Sequence, residues 1–213
     1  MRLYLSSFRM GNRPDELINL LGDGRRTAVI MNAADASLPE RRAVGLADEL
    51  ARLREVGLDP VEFDLREYFG RSDAARDALK GFDLVWVRGG NTFVLRRAFK
   101  YSGMDEILKE LLLNDALAYG GYSAGIDLLT PSLHGSEEVD DPNAIPEGYQ
   151  SEIIWDGLNL LPYSVAPHYR SDHPESAAVE QMVQHLIDNH LLFKALRDGQ
   201  AIVVNGDREW IAG

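Results

Sequence analysis

The stretch Ala116-Leu117-Ala118-Tyr119-Gly120-Gly121-Tyr122-Ser123-Ala124-Gly125 decides the fold. Ala116–Tyr119 reads as a short strand, and an apolar segment beginning at Ile126 reads as a helix. Between them, Gly121-Tyr122-Ser123-Ala124-Gly125 fits the pattern G-x-S-x-G. A strand-to-helix turn this tight leaves no room for side chains at its flanks, so it takes glycine. The serine between them is left strained, with its hydroxyl exposed. The next backbone N–H, from Ala124, opens the helix and can stabilise an oxyanion. Ser123 is therefore a candidate nucleophile on a nucleophile elbow. The competing reading is a structural turn whose serine caps the helix.

Outward from this turn, strands and helices alternate. Strands are predicted at Leu3–Ser6, Arg26–Met31, Pro60–Asp64 and Leu84–Val87. Helices are predicted at Asp15–Leu21, Leu38–Val56, Asp73–Leu79, Thr92–Phe99 and Met104–Leu113. Such alternation implies an α/β fold, with a mostly parallel sheet covered by helices on both faces. Ligands bind at the carboxyl ends of the strands in such sheets. Gly89-Gly90-Asn91-Thr92 lies at one such end, and its Gly90 N–H is the simplest second oxyanion donor. The alternative is a plain tight turn with Asn91 capping the next helix.

The remainder reads differently. Pro131–Pro162, rich in acidic and turn residues, is expected to be loop and hairpin laid over the site. A strand at Ser164–Ala166, a helix at Pro174–Asn189 and a hairpin of Ala201–Asn205 with Glu209–Ile211 follow. No repeat or linker is visible, so residues 1–213 are expected to form one domain.

Composition narrows the function. Net charge is −12, which repels phosphates and anionic lipid heads, so neither nucleic acid nor membrane is an expected partner. With no cysteine, thiolate metal sites and cysteine nucleophiles are excluded. H-E-x-x-H is absent and no dense ligand cluster appears, so no metal and no cofactor is expected. The first residues lack the apolar core of a signal peptide, and no apolar run approaches ~18 residues; the expected location is the cytoplasm.

A serine nucleophile needs a base, and there are five histidines: His134, His168, His173, His185 and His190. His168 follows the strand Ser164–Ala166 at its carboxyl end, and so leads, with His173 next. The carboxylate that orients it is open among Glu137, Glu138, Asp140 and Asp141.

Three motifs carry a family resemblance. They are Gly89-Gly90-Asn91-Thr92-Phe93, Gly121-Tyr122-Ser123-Ala124-Gly125, and Gly157-Leu158-Asn159-Leu160-Leu161-Pro162 leading to Pro167-His168-Tyr169. In this order the chain resembles the peptidase E family of serine peptidases, with its aspartyl dipeptidases and cyanophycinases. The resemblance implies a Rossmann-like three-layer sandwich similar to class I glutamine amidotransferase domains. It implies Ser123 as nucleophile, His168 as base, and Gly90 and Ala124 as the oxyanion hole. Counted forward without a gap, the family's aspartate falls on Glu138, which gives a Ser–His–Glu triad with Asp140 or Asp141 as fallback. The family's aspartyl-binding arginine falls on Met182, so Asp-X specificity is in question; Arg170 or Arg88 are substitutes. Asn91, Thr92 and Arg170 are the expected substrate contacts. The reading is a dipeptidase or small exopeptidase acting on short peptides, possibly as a homodimer. Its rivals are an esterase or cyanophycinase-like isoaspartyl peptidase, and a non-catalytic ligand-binding protein.

Overall fold

The structure is a computed structural model describing residues 1–213. Its main sheet has seven strands in the order β3-β2-β4-β5-β1-β8-β9. These are β1 (Arg2–Ser6), β2 (Arg26–Ile30), β3 (Asp59–Glu62), β4 (Leu84–Val87), β5 (Ala118–Tyr122), β8 (Ala201–Asn205) and β9 (Arg208–Ala212). β1 to β5 pair in parallel, and β8 joins β1 antiparallel, carrying β9 as the outer arm of a hairpin. A separate two-stranded parallel sheet pairs β6 (Ser164–Ala166) with β7 (Phe193–Ala195). The helices are α1 (Pro14–Leu21), α2 (Pro39–Glu55), α3 (Ser72–Ala78), α4 (Thr92–Ser102), α5 (Met104–Leu113), α6 (Ala124–Asp127) and α7 (Ser176–Asp188).

The strands read as apolar runs because both sheet faces are covered. Successive side chains point to opposite faces. Leu3, Leu5, Ala28, Ile30, Val85 and Val87 thus enter one core with α3, α4 and α5. Tyr4, Val29, Leu84 and Trp86 enter the other with α1 and α2. This is the expected three-layer α/β sandwich with a mostly parallel sheet.

Two expectations need correction. β5 extends to Tyr122, past the glycines taken to end it, because Gly120 and Gly121 still pair with Trp86 and Val87. Secondly, the segment Pro131–Pro162 does not cover the site cavity. It lies along α4, where the buried Arg97 donates to the carbonyls of Pro142, Ala144 and Glu152, and Arg96 donates to that of Asp156. Unpaired buried carbonyls are costly, so a strap whose only helix is one short 3-10 turn needs such donors. β7 had no clear sequence signal; it is three half-buried residues after the last helix.

The strap also reaches the N-terminus of α4. Asn91 Oδ1 accepts from the Val94 N–H (2.9 Å), and Asp140 Oδ2 accepts from the Thr92 N–H (2.8 Å). Burial pushes the Asp140 carboxyl up to about 6, against these hydrogen bonds. Its folded pKa lies above the ordinary 3.8, so the stability it contributes is complete below that value and is lost as pH rises through about 6.

Two outcomes follow. Gly125→Ala would place a Cβ 2.4 Å from the Val87 carbonyl oxygen, a contact with rigid backbone. It should cost about 3 kcal/mol or more in chemical denaturation. Asp140→Asn removes the ionisation but keeps an acceptor for Thr92, so its stability relative to wild type should rise by about 2 kcal/mol between pH 4 and pH 7. A flat difference across that range would show that Asp140 does not ionise on this scale.

Candidate active site

At the carboxyl ends of β4 and β5 the two glycine turns meet. Cβ atoms on Gly121 and Gly125 would lie 2.6 and 2.4 Å from the Val87 carbonyl oxygen, so both flanks of the elbow press on the end of β4. This contact brings Gly89 against Ser123: a Cβ on Gly89 would sit 2.7 Å from that of the serine. Ser123 has φ 52° and ψ −124°, a conformation costing on the order of 1–3 kcal/mol outside glycine. Its side chain makes no capping hydrogen bond to α6, which removes the capping reading. Tyr119 O–H, donating to the Gly125 carbonyl, anchors the far side of the turn.

Ala124 is the first residue of α6, so its N–H has no intrahelical acceptor. Gly90 N–H has no acceptor in the protein, and Gly90 (φ +147°) approaches the Ala33 carbonyl too closely for any side chain. Both expected oxyanion donors are thus available beside Ser123.

The cavity in front of the serine has a volume of about 250 Å³. Phe8 and Tyr122 are its hydrophobic lining; Ser123, His168, His173, Glu175, Gly89 and Gly90 are among the rest. His168 is 1% exposed and held on several sides. Its Nδ1 lies 2.7 Å from Asp198 Oδ1, and its backbone N–H donates to Ser7 Oγ at 2.8 Å. Ser7 in turn donates to the same Asp198 oxygen at 2.8 Å, and Asp198 N–H donates to Ser171 Oγ. His173 stacks on His168 with ring centroids 3.7 Å apart, and Phe8 meets both rings edge-on. Glu175 Oε2 lies 3.9 Å from His168 Nε2. Burial lowers the His168 pKa below the ordinary 6.5, while Asp198 pulls it back up. A carboxylate can only accept, so the contact favours the tautomer with its proton on Nδ1, facing Asp198, and leaves Nε2 as the basic nitrogen.

The structure therefore brings Ser123, His168 and Gly90 together, and it places Asp198 where the sequence reading had Glu138. Glu138 closes the 3-10 turn Ser136–Glu138, is exposed, and makes no side-chain contact with His168. Asp140 is committed to Thr92, and Asp141 flanks it on the strap. Asn91 and Thr92 cap and open α4 and do not line the cavity. Arg170 donates to Glu180 at 3.0 Å and lies outside the cavity, while Arg88 lines it. Met182 is packed in the small core under β6. Asp198 and Ser7 escaped notice. Asp198 is a lone acid in a turn before β8, and its one signal was its place after the histidine, ahead of a strand. His168, His173 and Asp198 hold ligand atoms within 4.8 Å of one another. However, the two rings are parallel to within 7°, so their in-plane lone pairs do not converge on a common ion.

Comparison with known proteins settles the family. The family model "Peptidase family S51" matches residues 15–211. The chain belongs to this family. It is 29% identical over 161 residues to "Probable alpha-aspartyl dipeptidase" of Drosophila melanogaster, covering 73% of this chain and 63% of that protein. It is 31% identical over 136 residues to "Peptidase E" of Streptomyces coelicolor, covering 62% of this chain and 52% of that one. The matched regions thus span less than two thirds of these relatives. Among solved structures it resembles "Putative Peptidase E Protein" from Listeria monocytogenes EGD-e (TM-score 0.78, 22% identity, 99% of this chain and 97% of that one). It also resembles a peptidase from an acI-B1 Actinobacterium (TM-score 0.71, 15% identity, 100% and 87%). At those identities these structures show a shared fold. The elbow and the histidine turn, two of the motifs that carried the resemblance to the peptidase E family, both line this cavity.

The Asp198 contact can be tested by NMR titration of the imidazole. His168 should titrate below 6.5, and Asp198→Asn, which removes the raising influence, should shift it further down. An upward shift would show that Asp198 does not stabilise the imidazolium.

Proposed function

We propose that this chain is a serine peptidase acting on short peptides, as a dipeptidase or small exopeptidase. The single observation that carries the reading is His168, buried in the cavity of Ser123 with its Nδ1 on Asp198 at 2.7 Å. Ser123 Oγ attacks the scissile carbonyl as His168 Nε2 takes its proton. The developing oxyanion is met by the N–H groups of Gly90 and Ala124. Asp198 holds the tautomer and stabilises the imidazolium. That imidazolium then protonates the leaving amine, and water activated by the same nitrogen hydrolyses the acyl-enzyme. The triad proposed is thus Ser123–His168–Asp198, with no cofactor in any step. A cavity of about 250 Å³ suits a substrate of dipeptide size rather than a folded chain. The names of the aspartyl dipeptidase and peptidase E relatives support the same substrate class.

A dipeptide library varying the first residue tests this. Ser123→Ala should abolish cleavage, by at least about 10⁴-fold in kcat/KM. Asp198→Asn should lower it by about 10³–10⁴-fold, whereas Glu138→Gln should leave it unchanged. Full activity in Ser123→Ala, or no cleavage of any dipeptide by wild type, would overturn the reading.

A further inference from the structure

The cavity has a second wall, formed by α2 and the end of β4, which the proposed chemistry does not use. Gly45, Asp48, Glu49 and Arg52 of α2 line it together with Arg88. Glu49 is 4% exposed, yet it carries no bound cation at hydrogen-bond distance. Its two oxygens accept instead from Trp86 Nε1 (2.7 Å) and from the hydroxyl of Tyr122 (2.9 Å), the residue before the nucleophile. Both of these donors are neutral, and the cation facing this buried carboxylate is Arg88, whose Nε lies 4.0 Å from Glu49 Oε2.

The guanidinium of Arg88 is positioned but not used up. Nη1 donates to the Gly89 carbonyl at 3.1 Å, on the turn that abuts Ser123. Nη2 has no acceptor in the protein. The head lies against α2 at Gly45, where a Cβ would make ordinary van der Waals contact, 3.5 Å from Nη2 and 3.7 Å from Cζ. Arg52 and Arg9, which also line the cavity, have no carboxylate partner, and Arg9 lies over the ring of Phe8. The negative groups near the histidines sit on the other side, where Glu175 is 3.8–3.9 Å from His173 and His168.

We propose that Arg88, aimed by Glu49 and assisted by Arg52, is a specificity residue that binds a carboxylate of the peptide substrate beside Ser123. This rests on the peptidase reading of the same cavity. A guanidinium held by its Nη1 hydrogen bond, with Nε facing Glu49 at 4.0 Å and Nη2 free, offers directed donors to a planar anion, which a lysine in its place would not. The carboxylate is either the side chain of an acidic first residue or the C-terminal α-carboxylate of the dipeptide.

Binding to the Ser123→Ala protein, measured by calorimetry, tests this without turnover. Two pairs of ligands distinguish the sources: Asp-Leu against Asn-Leu, and Ala-Leu against Ala-Leu amide. One pair should show a preference for the carboxylate of about 10–100-fold, the size of a charge-assisted bond, and that pair names the source. Adding Arg88→Gln should collapse the preference while leaving the affinity of the neutral member unchanged. Arg88→Lys should restore it in part, and Arg52→Gln should weaken it less. Equal binding of both members in both pairs overturns the proposal, as does an Arg88→Gln variant that weakens acid and neutral ligands alike. A fluorophosphonate, which carries no carboxylate, separates the two claims. If it labels wild type and Arg88→Gln equally, the hydrolase reading stands whatever the ligands show. If it fails to label wild-type Ser123, that reading falls and the binding result still decides the subsite.

Discussion

The contact on which this site depends is the meeting of the elbow with the last carbonyl of β4. Gly121 and Gly125 both close on the oxygen of Val87, and nothing larger than hydrogen fits at either position. Parallel pairing brings β4 and β5 to the same end of the sheet in register, Val87 opposite Gly121. The glycine turn that leaves β4 is thereby laid against the serine that leaves β5. One turn supplies the Gly90 N–H, the other the hydroxyl and the Ala124 N–H. The strain at Ser123 is held in place by the same packing, since relaxing its φ would drive the elbow off Val87. Geometry that mutual support fixes in advance does not have to be reorganised when charge develops.

A second arrangement completes the site. Trp86 and Tyr122 lie on adjacent strands and point to the same face, where both donate to Glu49 of α2. Glu49 thus ties the α2 layer to the strand immediately before the serine, and it sets its carboxyl 4.0 Å from Arg88 Nε. Ser7, just beyond β1, plays the comparable part on the other side, bridging the backbone of His168 and the carboxylate of Asp198. Two short polar links, one on each flank of the elbow, fix the walls of the cavity.

The legible parts of the sequence were those with strong local signatures. Apolar strand runs, G-x-S-x-G and the glycine turn at 89–92 are determined by steric demands that act within a few residues, and their positions were right to within a residue or two. The strand ending at Tyr122 was cut short because glycine has low strand propensity, and pairing with β4 overrides that preference. The acid beside His168 was not legible. Thirty residues separate Asp198 from His168, and their meeting depends on α7 and on the pairing of β6 with β7. No spacing rule predicts such a return, whereas the acidic run at 137–141 is conspicuous in sequence and turns out to serve α4 and the strap. The path of that strap was equally hidden, because it is set by where the buried Arg96 and Arg97 find carbonyl acceptors.

The small sheet of β6 and β7 has a consequence for how the molecule loses function. The proposed nucleophile and both proposed oxyanion donors are built on the large sheet, while His168 follows β6 and Asp198 follows β7. The two sheets are not independent, because Val165 of β6 and Leu196 beyond β7 pack into the main core. The weaker margin is β7, three half-buried residues. A segment with few buried apolar contacts opens at lower free energy than the core it borders. Heat or denaturant would then loosen Asp198 from His168 while the elbow is still native. On the proposed triad, inactivation would precede loss of the fold, leaving a compact molecule with an intact but idle serine.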